Sequence, residues 1–405
     1  MIDTRFTTRS VDLSTRASAS APVTTVPDDP FEQFTPGRVE PGSVKAAPVV
    51  TTAEQVPLSQ PVPGPFGPLP IESRVPLLLS PVATALGKHW DFLYSRVDPA
   101  RPTPDPNKVW CDRQREATSA GIDHALARLR EKGHEKGTGK VAVLGGGYEV
   151  NLAPLLEEFA EVHVVDLSDK PFPVVERQNA NDPNRDRLKF IQTDLSGIDP
   201  IYQGIEIERL HGERASGRTS SVDGLKAYFG NLPEMVPSSL ETAGYTMVVA
   251  PVLTEGMPYG ALITDIEARR DQANLESGID DSQNRRSTWK HVSGHLSDDF
   301  YFDPQVRQGF DRLFLHQSQE INRLLEPGGV GVTSFWTRPD ERQPDLAPSE
   351  SGPLFRLGDN TVTGATFEGF FQPFRHEKIG EAKIYGPDAR PTVHVYSLEK
   401  PGSQV

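Results

Sequence analysis

Three consecutive glycines and two aspartates, each closing an apolar run, are the residues of this 405-residue chain best suited to hold a small molecule. The stretch Lys140 to Ser168 reads KVAVLGGGYEVNLAPLLEEFAEVHVVDLS. Gly145, Gly146 and Gly147 follow the short run Val141 to Leu144, and Asp166 closes a second run containing Val162, Val164 and Val165. A side chain at Gly145 or Gly147 would forbid the backbone angles of a sharp turn, or would block a ligand that approaches the main chain. Asp166 lies about 20 residues after the glycines, where a carboxylate can accept bonds from both hydroxyls of a ribose. Further along, Leu188, Phe190 and Ile191 lead into Thr193-Asp194-Leu195. An acid with an apolar neighbour at that place can accept from an adenine amino group while the neighbour packs on the ring. The competing reading is plainer: a tight turn at the glycines and a helix cap at Asp166.

Positioning these groups requires a strand, a turn, a helix and a second strand. Leu152, Leu155, Leu156 and Phe159 recur at helical spacing between the two β-branched runs. The start of that helix would offer unpaired N–H groups and a partial positive charge to a carboxylate or phosphate. A β-α-β unit of this kind is built for a nucleoside. A dinucleotide site usually has a third glycine, which allows close helix packing over the pyrophosphate. Here that place is Val150, and Glu149 beside it would repel phosphates. A ligand without phosphates tolerates both. More strands follow: Tyr245 to Val252, Gly331 to Trp336, and an antiparallel pair at about Lys378 to Tyr385 and Thr392 to Leu398. A helix is predicted over roughly Gln305 to Leu325, with Phe310, Leu313, Phe314, Gln317, Ile321 and Leu324 as its inward stripe and Pro327-Gly328-Gly329 as its stop.

With these elements in order, the chain resembles the class I S-adenosylmethionine-dependent methyltransferases. The resemblance is carried by VAVLGGGYEVN, VHVVDLS, FIQTDLSG and LLEPGGVGVTSF, and it covers about Lys140 to Leu398. The first motif is similar to the L-G-x-G turn of a bacterial group of such enzymes. The resemblance implies an α/β Rossmann-like fold: a seven-stranded, mostly parallel sheet in the order 3-2-1-4-5-7-6, strand 7 antiparallel, with N-terminal cap helices. It implies S-adenosyl-L-methionine as cofactor. Gly145, Gly146 and Gly147 would pass under its methionyl part, Asp166 and Leu167 would hold the ribose, and Asp194 and Leu195 would meet the adenine. Methyl transfer to an unidentified acceptor, small molecule or protein, is the implied activity. The alternatives are an inactive methyltransferase-like binding or secreted effector protein and, with less support, an NAD-dependent oxidoreductase. This chain departs from the family at Val143, where many members carry an acid, and at Glu149. No N-P-P-Y pattern follows strand 4, which speaks against amino methylation of adenine or glutamine. Glu255 and Tyr259, just beyond that strand, are the first catalytic candidates.

Residues 1–71 are rich in Pro, Ser and Thr and are expected to be a disordered tail. Residues 72–137 are expected to form a helical cap, with Ile122, Ala125, Leu126 and Leu129 on one helix face and the aromatic cluster His89 to Tyr94 as a candidate substrate wall. Residues 138–400 form the expected catalytic domain, interrupted by insertions at about 199–241 and 264–301. The tail has no apolar core of a secretory signal. A cytoplasmic location is expected, with an unstructured export signal or transit peptide as alternatives. A net charge of −14 opposes nonspecific nucleic-acid binding. The basic residues Arg113, Arg115, Arg128, Arg130 and Lys132 read as a solvated helix face. The single Cys111 excludes an internal disulfide, and no apolar run is long enough to span a membrane. His291 and His295, near Asp298, Asp299 and Asp303, have metal-ligand spacing but read as a polar loop, so no metal is expected. Oligomeric state is not legible.

Overall fold

The computed structural model describes residues 68–80, 83–84, 106–147, 150–215, 221–251, 303–338, 354–357, 360–383 and 392–402. Strand β1 (Ile71–Ser73) is followed by a 3-10 turn at Leu77–Leu79 and the long helix α1 (Pro106–Glu131). Then come β2 (Thr138–Leu144), α2 (Ala153–Glu158), β3 (Phe159–Asp166), α3 (Phe172–Gln178) and β4 (Leu188–Gln192). Two helices, α4 (Pro200–Ala215) and α5 (Ser221–Gly230), precede β5 (Tyr245–Pro251). Helix α6 (Pro304–Leu324) runs directly into β6 (Leu325–Arg338). A short hairpin, β7 (Leu354–Leu357) and β8 (Asn360–Thr363), leads to α7 (Gly364–Phe371) and the terminal pair β9 (Arg375–Lys383) and β10 (Thr392–Glu399).

These strands form one ten-stranded sheet with the order β1-β4-β3-β2-β5-β6-β10-β9, from which β7 and β8 branch beside β6. Strands β1 to β6 run parallel along this path, while β10 is antiparallel to both β6 and β9. The seven-strand expectation is therefore corrected. Ile71–Ser73, placed by sequence at the junction of tail and helical cap, instead pairs with Phe190–Gln192 as an added edge strand. Three residues carry too little periodicity to be read from sequence. They are held from outside, by Arg74 N–H donating to the Gln192 carbonyl and Leu69 N–H donating to Glu176. The hairpin β7–β8 was likewise not foreseen. Between β4 and β9 the order corresponds to 3-2-1-4-5-7-6.

Each face of the sheet carries a core. On one, Ile122, Ala125, Leu126 and Leu129 of α1 pack on Val141, Val143, Val330, Val332 and Val395. Gly121 makes this close approach possible, since a Cβ there would lie 2.6 Å from Val395 and 2.8 Å from Val332. On the other, the α6 stripe Phe310, Leu313, Phe314, Ile321 and Leu324 is buried against Phe335, Phe370 and Phe371. The helix stop at Pro327-Gly328-Gly329 is absorbed into β6, whose pairing with β5 is irregular there because Tyr245 faces Leu325 and Met247 faces Val330.

Candidate functional site

The switch in strand order falls between β2 and its neighbours β3 and β5, the place where open α/β sheets bind ligands at strand ends. The glycine turn leaves the sheet there. Gly145, Gly146 and Gly147 have φ of 91°, 79° and 70°, a left-handed run that other residues rarely adopt. The N–H groups of Gly145 and Gly146 both donate to the Val165 carbonyl, at 2.8 and 3.1 Å, which folds the turn over the end of β3. A Cβ on Gly146 would sit 3.0 Å from Asp166 Oδ2 and 3.1 Å from Pro171, so the carboxylate lies directly against the turn. A Cβ on Gly147 would sit 3.0 Å from Val164.

The three strand ends are tied in series. Thr193 N–H donates to the Asp166 carbonyl at 2.8 Å, and Gln192 Nε2 donates to the Leu167 carbonyl at 3.0 Å. Asp194 follows at once. Its Oδ1 accepts from Ser196 N–H at 2.8 Å and its Oδ2 from the Ser196 hydroxyl at 3.0 Å. Burial pushes the Asp194 carboxyl above its ordinary range, and the two Ser196 bonds only partly oppose this. Leu195 is buried and Leu167 half-buried against the same core. The sequence-predicted set Gly145, Gly146, Gly147, Asp166, Leu167, Asp194 and Leu195 is thus gathered along three adjacent strand ends.

The helix after the turn is weaker than expected. Helix α2 spans six residues, and Pro154 in its first turn removes one N–H. Asn151 Oδ1 accepts from Ala153 N–H at 3.3 Å, and Phe159 already begins β3. Few donors remain to meet a pyrophosphate, and the neighbouring side chains Asp166 and Asp194 are acids. Val150 is buried in the core at the place of the third glycine. The arrangement suits a ligand with hydroxyls and an amino-bearing ring, neutral or cationic overall.

No family model matches this chain, and no curated protein is similar to it in sequence. Solved structures give distant likenesses. A geranyl diphosphate C-methyltransferase from Streptomyces coelicolor is 10% identical over 79% of this chain and 99% of its own, with a TM-score of 0.36. A 1,6-didemethyltoxoflavin-N1-methyltransferase from Burkholderia thailandensis is 14% identical over 83% and 94%, with a TM-score of 0.34. The [4+2]-cyclase SpnF is 10% identical over 69% and 81%, with a TM-score of 0.30. Such values carry neither the fold nor the chemistry, which rest on the strand order and loop geometry of the chain itself.

Several residues around the site were not singled out by sequence. Pro171 closes over Gly146, and Ser196 binds both oxygens of Asp194. The Tyr228 hydroxyl is buried without a partner, and Asp194 is among the charges that, with burial, raise its pKa. His316, read as a core or interface residue, is buried with Nε2 unpartnered, and a Cβ on Gly197 would clash with its ring at 2.1 Å. One signal was available: Asp-Leu-Ser recurs at residues 166–168 and 194–196, at the end of β3 and just past the end of β4. Glu255, Tyr259, Glu149, the His89–Tyr94 cluster and His291, His295, Asp298 and Asp299 lie outside the described residues. Asp303 caps α6, accepting from Gln305 and Val306 N–H. Among the described residues no group of three His, Cys, Asp or Glu is placed to hold a metal. The basic residues Arg128, Arg130 and Lys132 are paired with Glu131, Glu158 and Glu399. No described helix is long and apolar enough to cross a membrane.

Proposed function

We propose that the protein is an S-adenosyl-L-methionine-dependent methyltransferase. The observation that carries this reading is the all-left-handed turn Gly145–Gly147 lying against Asp166 at the ends of parallel strands, joined in series to Asp194. The residues fit the cofactor in kind. Asp166 would accept from the ribose hydroxyls, and Asp194 would accept from the adenine amino group with Leu195 against the ring. The glycine turn would pass under the methionyl chain. The acids and the short α2 fit a ligand without phosphates, which disfavours the NAD-dependent reading. When bound, the sulfonium supplies an already activated methyl group. The remaining task of the protein is alignment and exclusion of water, from which a large part of a rate enhancement can come. A base is required only if the acceptor arrives protonated, and Glu255 and Tyr259 are the side chains to test for that role. Titration calorimetry checks the reading: S-adenosylhomocysteine should bind and NADH should not. Binding of NADH alone would overturn it. Export through residues 1–71 is a separate proposal, supported by their Ser/Thr-rich composition. Deleting residues 1–50 should then abolish secretion at unchanged cofactor affinity, and continued export would exclude it.

A further inference from the structure

The upper half of α1 carries two buried polar atoms that the fold does not use. Gln114 is 1% exposed and Thr118 is fully buried, yet Gln114 Oε1 and Thr118 Oγ1 have no hydrogen-bond partner. A helical threonine ordinarily turns its hydroxyl back to the carbonyl four residues earlier. The adjacent Ser119 does so, donating to the Arg115 carbonyl at 2.8 Å, whereas Thr118 does not. Gln114 and Thr118 are four residues apart, so they share one helix face.

Their height in the fold follows from packing. Helix α1 runs antiparallel to β6: Lys132 at its far end donates to the Gly328 carbonyl, and Gly121 sits on Val332. Thr118 and Gln114 lie about one and two turns beyond Gly121, or roughly 5 and 10 Å. At about 3.3 Å per strand residue this reaches two to three residues past Val332. Ser334, on the same strand face as Val332 and buried, falls at that level and pairs in register with Pro251, the last residue of β5. Val143 pairs with Val249, so the glycine turn leaves β2 at the same height. The unused oxygens therefore stand beside β6, at the height where β2 and β5 end, on the β6 side of the turn and away from Asp166 and Asp194.

We infer that Gln114 and Thr118 bind the methyl acceptor, and that the acceptor is an uncharged small molecule bearing a hydroxyl or carboxamide group. This rests on the methyltransferase reading. A hydroxyl or carboxamide can donate to Gln114 Oε1 and accept from the Thr118 hydroxyl together, satisfying both atoms. An ionised group buried against these two uncharged oxygens would lack a counter-charge. The test uses the full chain with Gln114→Leu and Thr118→Val, two substitutions of similar volume, and three measurements. These are thermal midpoint, S-adenosylhomocysteine affinity, and tritium transfer from methyl-labelled S-adenosylmethionine into cell extract fractionated by size and ion exchange. The expected result is label in the small, neutral fraction, reduced at least tenfold by each substitution. Cofactor affinity should stay within twofold, and the thermal midpoint should be unchanged or raised. Label on macromolecules, on charged small molecules or in no fraction overturns the inference. So does labelling that neither substitution alters, which would assign the two oxygens to buried water. Failure of the wild type to bind S-adenosylhomocysteine is a separate outcome, which removes the functional reading and the inference with it.

Discussion

The Asp-Leu-Ser segments at residues 166–168 and 194–196 lie at neighbouring strand ends, yet they use the aspartate differently. In both, the aspartate Oδ1 accepts from the N–H of the serine two residues on, at 2.8 Å in each case. The serines then diverge. Ser168 turns its hydroxyl away, accepting from Lys170 N–H at 3.2 Å, and Asp166 Oδ2 is left against the glycine turn. Ser196 turns its hydroxyl inward, donating to Asp194 Oδ2 while accepting from Ile198 N–H. One acid thus has its second oxygen against the glycine turn, and the other has both oxygens bound by its own serine in a buried loop. The same tripeptide at neighbouring strand ends is not interchangeable, because the serine hydroxyl binds the second oxygen in one loop and a backbone N–H in the other.

Four substitutions test that contrast. The largest effect is expected from Asp166→Ala, which removes a charge-assisted bond to the ligand worth about 1.5–3 kcal/mol. Calorimetry should show S-adenosylhomocysteine affinity falling by one to two orders of magnitude, and unchanged affinity would end the assigned role. Asp194→Asn should act on stability as well as on the ligand. The folded-state pKa of Asp194 is raised by burial. Its contribution to stability is therefore whole below the ordinary value of 3.8 and is lost as pH rises through the folded value. The asparagine protein should melt higher than wild type at pH 8, by a margin that closes as the solution is acidified. A margin independent of pH would contradict the raised pKa. The smallest effect separates the serines. Ser196→Ala deletes two hydrogen bonds and Ser168→Ala one, so the first should cost more stability, by about 1 kcal/mol in chemical denaturation. Equal losses would show that the two loops are alike after all.

Sequence legibility followed the length and regularity of each element. The parallel strands ending at Leu144 and Asp166 were readable because their valine-rich runs, buried on both faces, need no partner to announce them, and the one ending at Gln192 because Leu188, Phe190 and Ile191 are apolar and buried. The glycine turn and both acids were readable because their backbone angles and strand-end positions demand particular residue types. Strand β1 was not, since three residues gain their order from Gln192 and Glu176, more than a hundred positions away. The extent of α2 was misjudged for a related reason. Phe159 fits the apolar stripe of a helix, but its pairing opposite Thr138 takes it into β3. Gln114 and Thr118 gave no signal, because polar residues in a helix look like solvent-facing ones until burial is known.

The short strand Ile71–Ser73 has a consequence for how the chain can be cut. It covers the backbone of β4, the outermost of the long parallel strands. Trimming through Ser73 would strip that cover and leave the β4 edge bare, a template on which other copies can stack. A fragment that begins before Leu69 keeps the guard strand and the Leu69–Glu176 bond that pins it.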